Sequence, residues 1–252
     1  MPFVNRPMTA QPRGWVIAYA VGLICLICGP RAPVPVFATE PSGIGPLIVL
    51  DRTPHSLIDR ETRSLLTPAE IEQFLVELER TPPDWAQLRD QPGEERGSRL
   101  FTFNRKRDRA RLKRPTHLAQ RVAFRWGGFL SRFSEEHGGF FVAIGPEFIR
   151  TQWGIIRFKP VGLPQEMIAM TSKAQRGRLL ERLERGEPIE IGILFIGRLV
   201  PDESIIYAFD HDDPEQGLLM PVVQIEAVKY FLPCSGRSEK NDSLGDSSRK
   251  KG

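Results

Sequence analysis

Beyond residue 38 the chain holds one cysteine, Cys234, so no intramolecular disulfide can form there and the fold must rest on core packing. Cys25 and Cys28 lie within an apolar run. The residues before them, Ile24 and Ile27, are too large for a lipid-modified cysteine, and a redox or metal pair does not suit that setting. Long apolar runs are lacking too. The longest uncharged, mostly apolar stretch, from Gly14 to Cys28, falls short of the roughly 20 residues that cross a bilayer. Catalytic signatures are absent: no nucleophile elbow, no phosphate loop and no dinucleotide glycine pattern. The histidines His55, His117, His137 and His211 show no zinc-ligand spacing, so neither a metal nor a cofactor is expected. A lasting excess of one charge is missing as well. The formal net charge is +4, but Arg6, Arg13 and Arg31 contribute to it and no acid precedes Glu40. The remainder is close to neutral, which removes the case for a globally basic nucleic-acid binder.

What is present begins with an export pattern. Arg6 and Arg13 make a positive start, Gly14 to Cys28 a short apolar core, and Gly29-Pro30 a break. Val36-Phe37-Ala38 then places small residues around a cleavage point before Thr39. Residues 1–38 therefore read as a signal peptide, and the protein as exported, periplasmic or extracellular, in a bacterial envelope. The alternative is an uncleaved anchor through residues 14–37, opposed by Pro30, Arg31, Pro33 and Pro35.

Residues 39–115 read as a helical lead-in with a basic segment. It starts irregularly, with an apolar run, Leu47 to Leu50, suited to an edge strand. Thr67-Pro68-Ala69-Glu70 is a capping box, followed by Ile71, Phe74, Leu75 and Leu78 at helical spacing. Thr81-Pro82-Pro83-Asp84 starts a second, short helix with Trp85 and Leu88, and Gln91 to Gly97 reads as a polar loop. From about Thr116 the period changes to two. Val122, Phe124 and Trp126 alternate with Arg121, Ala123 and Arg125, and Gly127-Gly128 suggests a bulge or sharp bend. Further strands are expected over residues 140–149, 153–158, 189–195, 204–209 and 222–232, with a short extended piece at 167–170. A capped helix opens at Ser172-Lys173-Ala174-Gln175 and stops at Gly186.

The order β-β-β-α-β-β plus a terminal strand, with a long, glycine-interrupted first strand, resembles a small OB-type barrel. The expected class is α+β, with an OB-like β domain over residues 116–233. The alternative is another α+β sandwich. Trp126, Trp153, Tyr207 and Phe209 are expected mostly in the core. Residues 234–252, rich in Ser, Gly and charge, are expected to be disordered.

One charged segment stands out. From Arg96 to Arg125 basic residues recur against a single acid, Asp108, with Phe101, Phe103, Phe124 and Trp126 interleaved. Arg105, Lys106, Arg107, Arg109, Arg111, Lys113 and Arg114 are the candidate anionic-ligand-binding residues. For an exported chain the fitting partners are anionic lipid headgroups or acidic envelope polymers rather than nucleic acid. The competing reading is a solvated basic loop paired with acids elsewhere. The acidic turn from Asp210 to Glu215 has dense oxygen ligands but not EF-hand spacing, and reads as a solvated turn. The expected function is a non-catalytic envelope protein that binds a protein partner or an anionic polymer or lipid surface. The alternatives are an exported hydrolase with a carboxylate-based site and a membrane-anchored structural protein.

Overall fold

The computed structural model describes residues 41–89, 93–201, 205–209 and 216–233. Residues 1–38, read from sequence as a signal peptide, all three cysteines, the acidic turn at 210–215, His211 and the tail from 234 lie outside the described residues. The chain divides into units of residues 1–37 and 38–252, and every described residue lies in the second.

The chain enters through β1 (Ile44–Val49) and the short β2 (Arg63–Ser64). Four helices follow: α1 (Pro68–Glu79), α2 (Trp85–Arg89), α3 (Gly93–Arg111) and α4 (Pro115–Leu118). Then come the long β3 (Arg121–Ser134) and β4 (Gly139–Ile144). Three short strands, β5 (Ile149–Thr151), β6 (Gly154–Ile156) and β7 (Lys159–Val161), precede β8 (Ile168–Met170). Helix α5 (Lys173–Glu184) leads to β9 (Glu190–Leu199), β10 (Ile205–Phe209) and the long β11 (Gly217–Leu232).

Six of these strands close on themselves in the order β1-β8-β4-β3-β9-β11, because β1 pairs with both β8 and β11. The result is a closed, mixed α+β barrel. Contact of β1 with its two neighbours is parallel, and the other barrel pairings are antiparallel. The apolar run at Leu47 pairs along one side with β11, while Ile44 to Pro46 just before it pair with β8, so β1 bridges the two strands and closes the barrel.

Local signals explain several elements. Thr67 and Glu70 exchange side-chain and backbone hydrogen bonds at the start of α1, and Ser172 and Gln175 do the same for α5. Ile71, Phe74, Leu75 and Leu78 are buried as their spacing requires. In β3, Val122, Phe124, Trp126 and Leu130 face the core, where Phe124 stacks on Phe158 and Phe195 at centroid distances of 4.5 and 5.4 Å. Trp126, Trp153 and Tyr207 are buried, and Phe209 is half-buried.

Three expectations change. The pair Gly127-Gly128 makes no bulge against β9: the register there runs unbroken from Arg121 to Phe129, and the irregularity against β4 lies between Leu130 and Phe133. Gly128 instead provides clearance, since a Cβ there would stand 2.6 Å from Ile193 Cδ1. The barrel strand after β4 is β8, which holds Ile168 to Met170, whereas Trp153 to Phe158 only flanks the barrel through β6. Finally, residues read as a polar loop and basic segment form the 19-residue helix α3.

Candidate functional site

Helix α3 has little apolar surface to bury, and what holds it is largely polar. Leu100, Asn104, Arg107 and Arg111, spaced four, three and four apart, form one face. Leu100 and Phe103 pack against the core. Asn104 accepts from Tyr207 N at 2.8 Å and donates to Tyr207 O at 3.0 Å, which ties α3 to β10 like a strand partner. Arg111 donates to Glu79 Oε1 at 2.9 Å and to Ile205 O at 3.0 Å, and also pairs with Asp108. Arg107 reaches the other Glu79 oxygen at 3.0 Å, and both its terminal nitrogens donate to Thr81 O at 3.1 Å. The Tyr207 hydroxyl also donates to Glu79.

Glu79 is therefore a buried carboxylate with two guanidinium groups and a phenol around it; its side chain and that of Arg111 are each 1% exposed. A charge that deep persists only when paired and hydrogen-bonded. The Arg107 and Arg111 guanidinium carbons also lie 5.8 and 5.7 Å from the Tyr207 ring centroid. Burial, then the Glu79 charge, pushes the Tyr207 phenol well above its ordinary value, so it stays a donor. Arg114 turns inward as well, donating to Leu78 O at 2.6 Å.

The seven basic residues singled out by sequence thus separate into two groups. Arg107, Arg111 and Arg114 hold the fold together. Arg105, Lys106, Arg109 and Lys113 are exposed, and none forms an ion pair with a described residue. The inward residues are paired with acids and carbonyls elsewhere, on a helix rather than a loop, and the outward four are exposed.

The outer side has its own order. Phe101, Arg105, Arg109 and Leu112 recur at spacings of four, four and three, one above another. Leu112 continues the helix, as its N–H bonds Asp108 O at 3.0 Å. Phe101 is 67% exposed and Leu112 49%. Arg99, Lys106 and Lys113 form a neighbouring row at a spacing of seven. Leu112 also forms the lip of a mainly apolar cavity of about 510 Å³ that includes Pro115, Leu118 and Leu199. Sequence reading picks out Phe101 among the aromatics of the basic segment but not Leu112, although its place on the arginine row could have been found from helical spacing.

The remaining candidates converge on no reactive centre. His55 Nε2 lies 2.9 Å from Glu70 Oε1, and His137 Nδ1 lies 3.1 Å from Ser134 Oγ. Among the described residues no group of three or more His, Cys, Asp or Glu is placed to hold a metal, and no helix is long and apolar enough to cross a membrane. No family model, no curated protein and no solved structure matches this chain.

Proposed function

We propose that this protein is a non-catalytic binding module that docks on anionic lipid surfaces through the outer face of α3. The observation that carries this reading is one face of α3 and its last turn bearing exposed Arg105, Lys106, Arg109 and Lys113, none of them ion-paired with a described residue, together with exposed Phe101 and Leu112. Cations near an anionic leaflet contribute about 1 kcal/mol each. Apolar side chains on the same face add burial in the headgroup region, which an acidic polymer in water does not offer. The buried Glu79 cluster holds the helix fixed, so its side chains are presented without ordering a coil. Export with cleavage before Thr39 belongs to the same reading and rests on the sequence pattern of residues 1–38. It would place the basic face toward the anionic lipids of an envelope.

The barrel fits an OB type in this reading. Strand β3 pairs with β4 and β9, β4 with β8, and β9 with β11, while α5 links β8 to β9. Strand β1 stands between β8 and β11, where an OB barrel joins its third and fifth strands. Nuclear Overhauser contacts of Leu47 with Tyr230 and of Gly45 with Ala169 would support this arrangement, whereas direct β8–β11 contacts would contradict the insertion.

Co-sedimentation tests the docking. The protein should pellet with vesicles containing phosphatidylglycerol and stay in solution with pure phosphatidylcholine. Equal pelleting with both, or with neither, contradicts the proposal. Binding to a soluble acidic polysaccharide but not to the anionic vesicles would assign the helix face to a polymer instead. N-terminal sequencing from cells should read Thr39 onward, and intact chain that resists carbonate extraction would show an anchor.

A further inference from the structure

The outer wall of the barrel carries a second feature, built from glycine. In the middle of β3, Arg125, Gly127 and Phe129 are exposed, opposite the buried Trp126 and Leu130. Gly127 pairs in register with Gly192 of β9. Gly145, one residue past β4, donates its N–H to Gly127 O at 3.5 Å. Gly127 and Gly145 thus leave exposed backbone on two adjacent segments, while Gly192 beside them is buried beneath the Phe231 ring. The levels on either side are not bare. Phe129, 47% exposed, pairs with Glu190 on one side, and Arg125 pairs with Glu147 at 3.0 Å on the other. Phe231 closes one end: a Cβ on Gly192 would fall 2.1 Å from its ring. The trench encloses about 450 Å³.

Two of these glycines have no structural reason to be glycine. Neither Gly127 nor Gly145 has a positive φ, and nothing lies within 4 Å of where either Cβ would stand. A glycine inside a strand costs backbone entropy and packs nothing, and a close approach from outside is one of the few things that explains it. The floor cannot take up a peptide strand, because β3 is already paired on both sides and its backbone groups are used. What the floor offers is a flat surface crossing strands spaced about 4.8 Å apart. The rim mixes two carboxylates with one guanidinium, which disfavours a polyanion.

We propose that this trench binds a neutral saccharide chain. A pyranose ring has an apolar C–H face and a belt of hydroxyls. The C–H face lies on the Phe129 ring and the glycine floor. The hydroxyls donate to the carboxylates of Glu190 and Glu147 and accept from Arg125. A few convergent polar groups around an apolar, aromatic surface are the usual composition of such a site. This inference goes beyond the lipid-docking reading and stands independently of it.

Isothermal titration of the full chain tests it, with cello-, chito- and maltotetraose as probes at about 5 mM, enough to occupy a site of millimolar Kd. At least one probe should bind. Amide shifts should map to Gly127, Phe129 and Glu190. Gly127→Ala adds a Cβ with nothing within 4 Å and suits a strand better than glycine, so it should not lower the melting temperature and should weaken binding; Gly127→Val, which fills more of the floor, should weaken it by at least about tenfold. Glu190→Ala should weaken the same probe. Three silent titrations, shifts that map elsewhere, or Gly127→Val binding as tightly as the parent would each overturn the proposal.

Discussion

Arg111 and Glu79 meet at 2.9 Å with both side chains 1% exposed, one at the end of α3 and the other at the end of α1. This contact makes an otherwise polar helix part of the fold. It also divides the basic segment into residues that build the protein and residues free to contact something else.

Removing one partner of that contact strands the other. Arg111→Met leaves Ile205 O without this donor and removes one of the two guanidinium groups at Glu79, and should cost about 3–5 kcal/mol in chemical denaturation. The double change Glu79→Leu with Arg111→Met should cost less than the sum of the two single changes. Strict additivity would show that the pair is not coupled.

Glu70 gives the fold an acid-sensitive element. Burial raises its carboxyl, but hydrogen bonds from His55 and from the backbone N–H groups of Leu66 and Thr67 outweigh this and hold it at about 2, against an ordinary 4.5. Its folded value lies below the unfolded one, so its contribution is complete at neutral pH and is lost as pH falls from about 4.5 toward 2. With solvent screening at this partly exposed site, Glu70→Gln should cost about 1–2 kcal/mol at pH 7, and the difference from the parent should shrink steadily below pH 4.5. A difference that stays constant down to pH 2.5 would refute the assignment.

The tyrosines report the opposite edge of the pH range. Burial raises both Tyr207 and Tyr230, the latter with its hydroxyl bonded to Gly43 O at 2.5 Å. Their folded values lie above the unfolded one, so their contribution holds below pH 10 and is lost above it. Of the three tyrosines in the chain, at most one should ionise near pH 10 in an absorbance titration of the native protein, with the others appearing only on unfolding. Two or more normal transitions would place at least one of these phenols in solvent.

Arg80 ends α1 at φ 75°, the one described non-glycine residue with a positive φ. A side chain there carries strain that glycine avoids, so Arg80→Gly should raise stability by about 0.5–1 kcal/mol by thermal denaturation. A loss would show that the Arg80 side chain makes a contact worth more than the strain.

Local chemistry was legible in the sequence and long-range pairing was not. The capping boxes at Thr67 and Ser172 need only neighbours three residues apart, and both formed. Helix α3 was missed because arginine and asparagine supply much of its inward face, so no apolar stripe marked it. Glu79 looks like a surface residue until its partners arrive from 32 and 128 residues away. Strand β1 could not announce its partners, because Tyr230 reaches Leu47 and Ala169 reaches Gly45 only through the whole topology. Periodicity also could not choose between two short apolar segments, 153–158 and 167–170, for one place in the barrel. The four exposed cations of the outer face of α3 were legible from composition, but their separation from the three inward ones depended on α3 being a helix.

The most direct measurement compares the parent with a variant in which Arg105, Lys106, Arg109 and Lys113 are all Ser, both titrated with phosphatidylglycerol vesicles at about 50 mM salt, where screening is weak. The parent should bind and release as salt rises, while the variant should lose binding at an unchanged melting temperature, because none of the four residues pairs within the described fold. Undiminished binding by the variant, or parental binding indifferent to salt, would contradict the account.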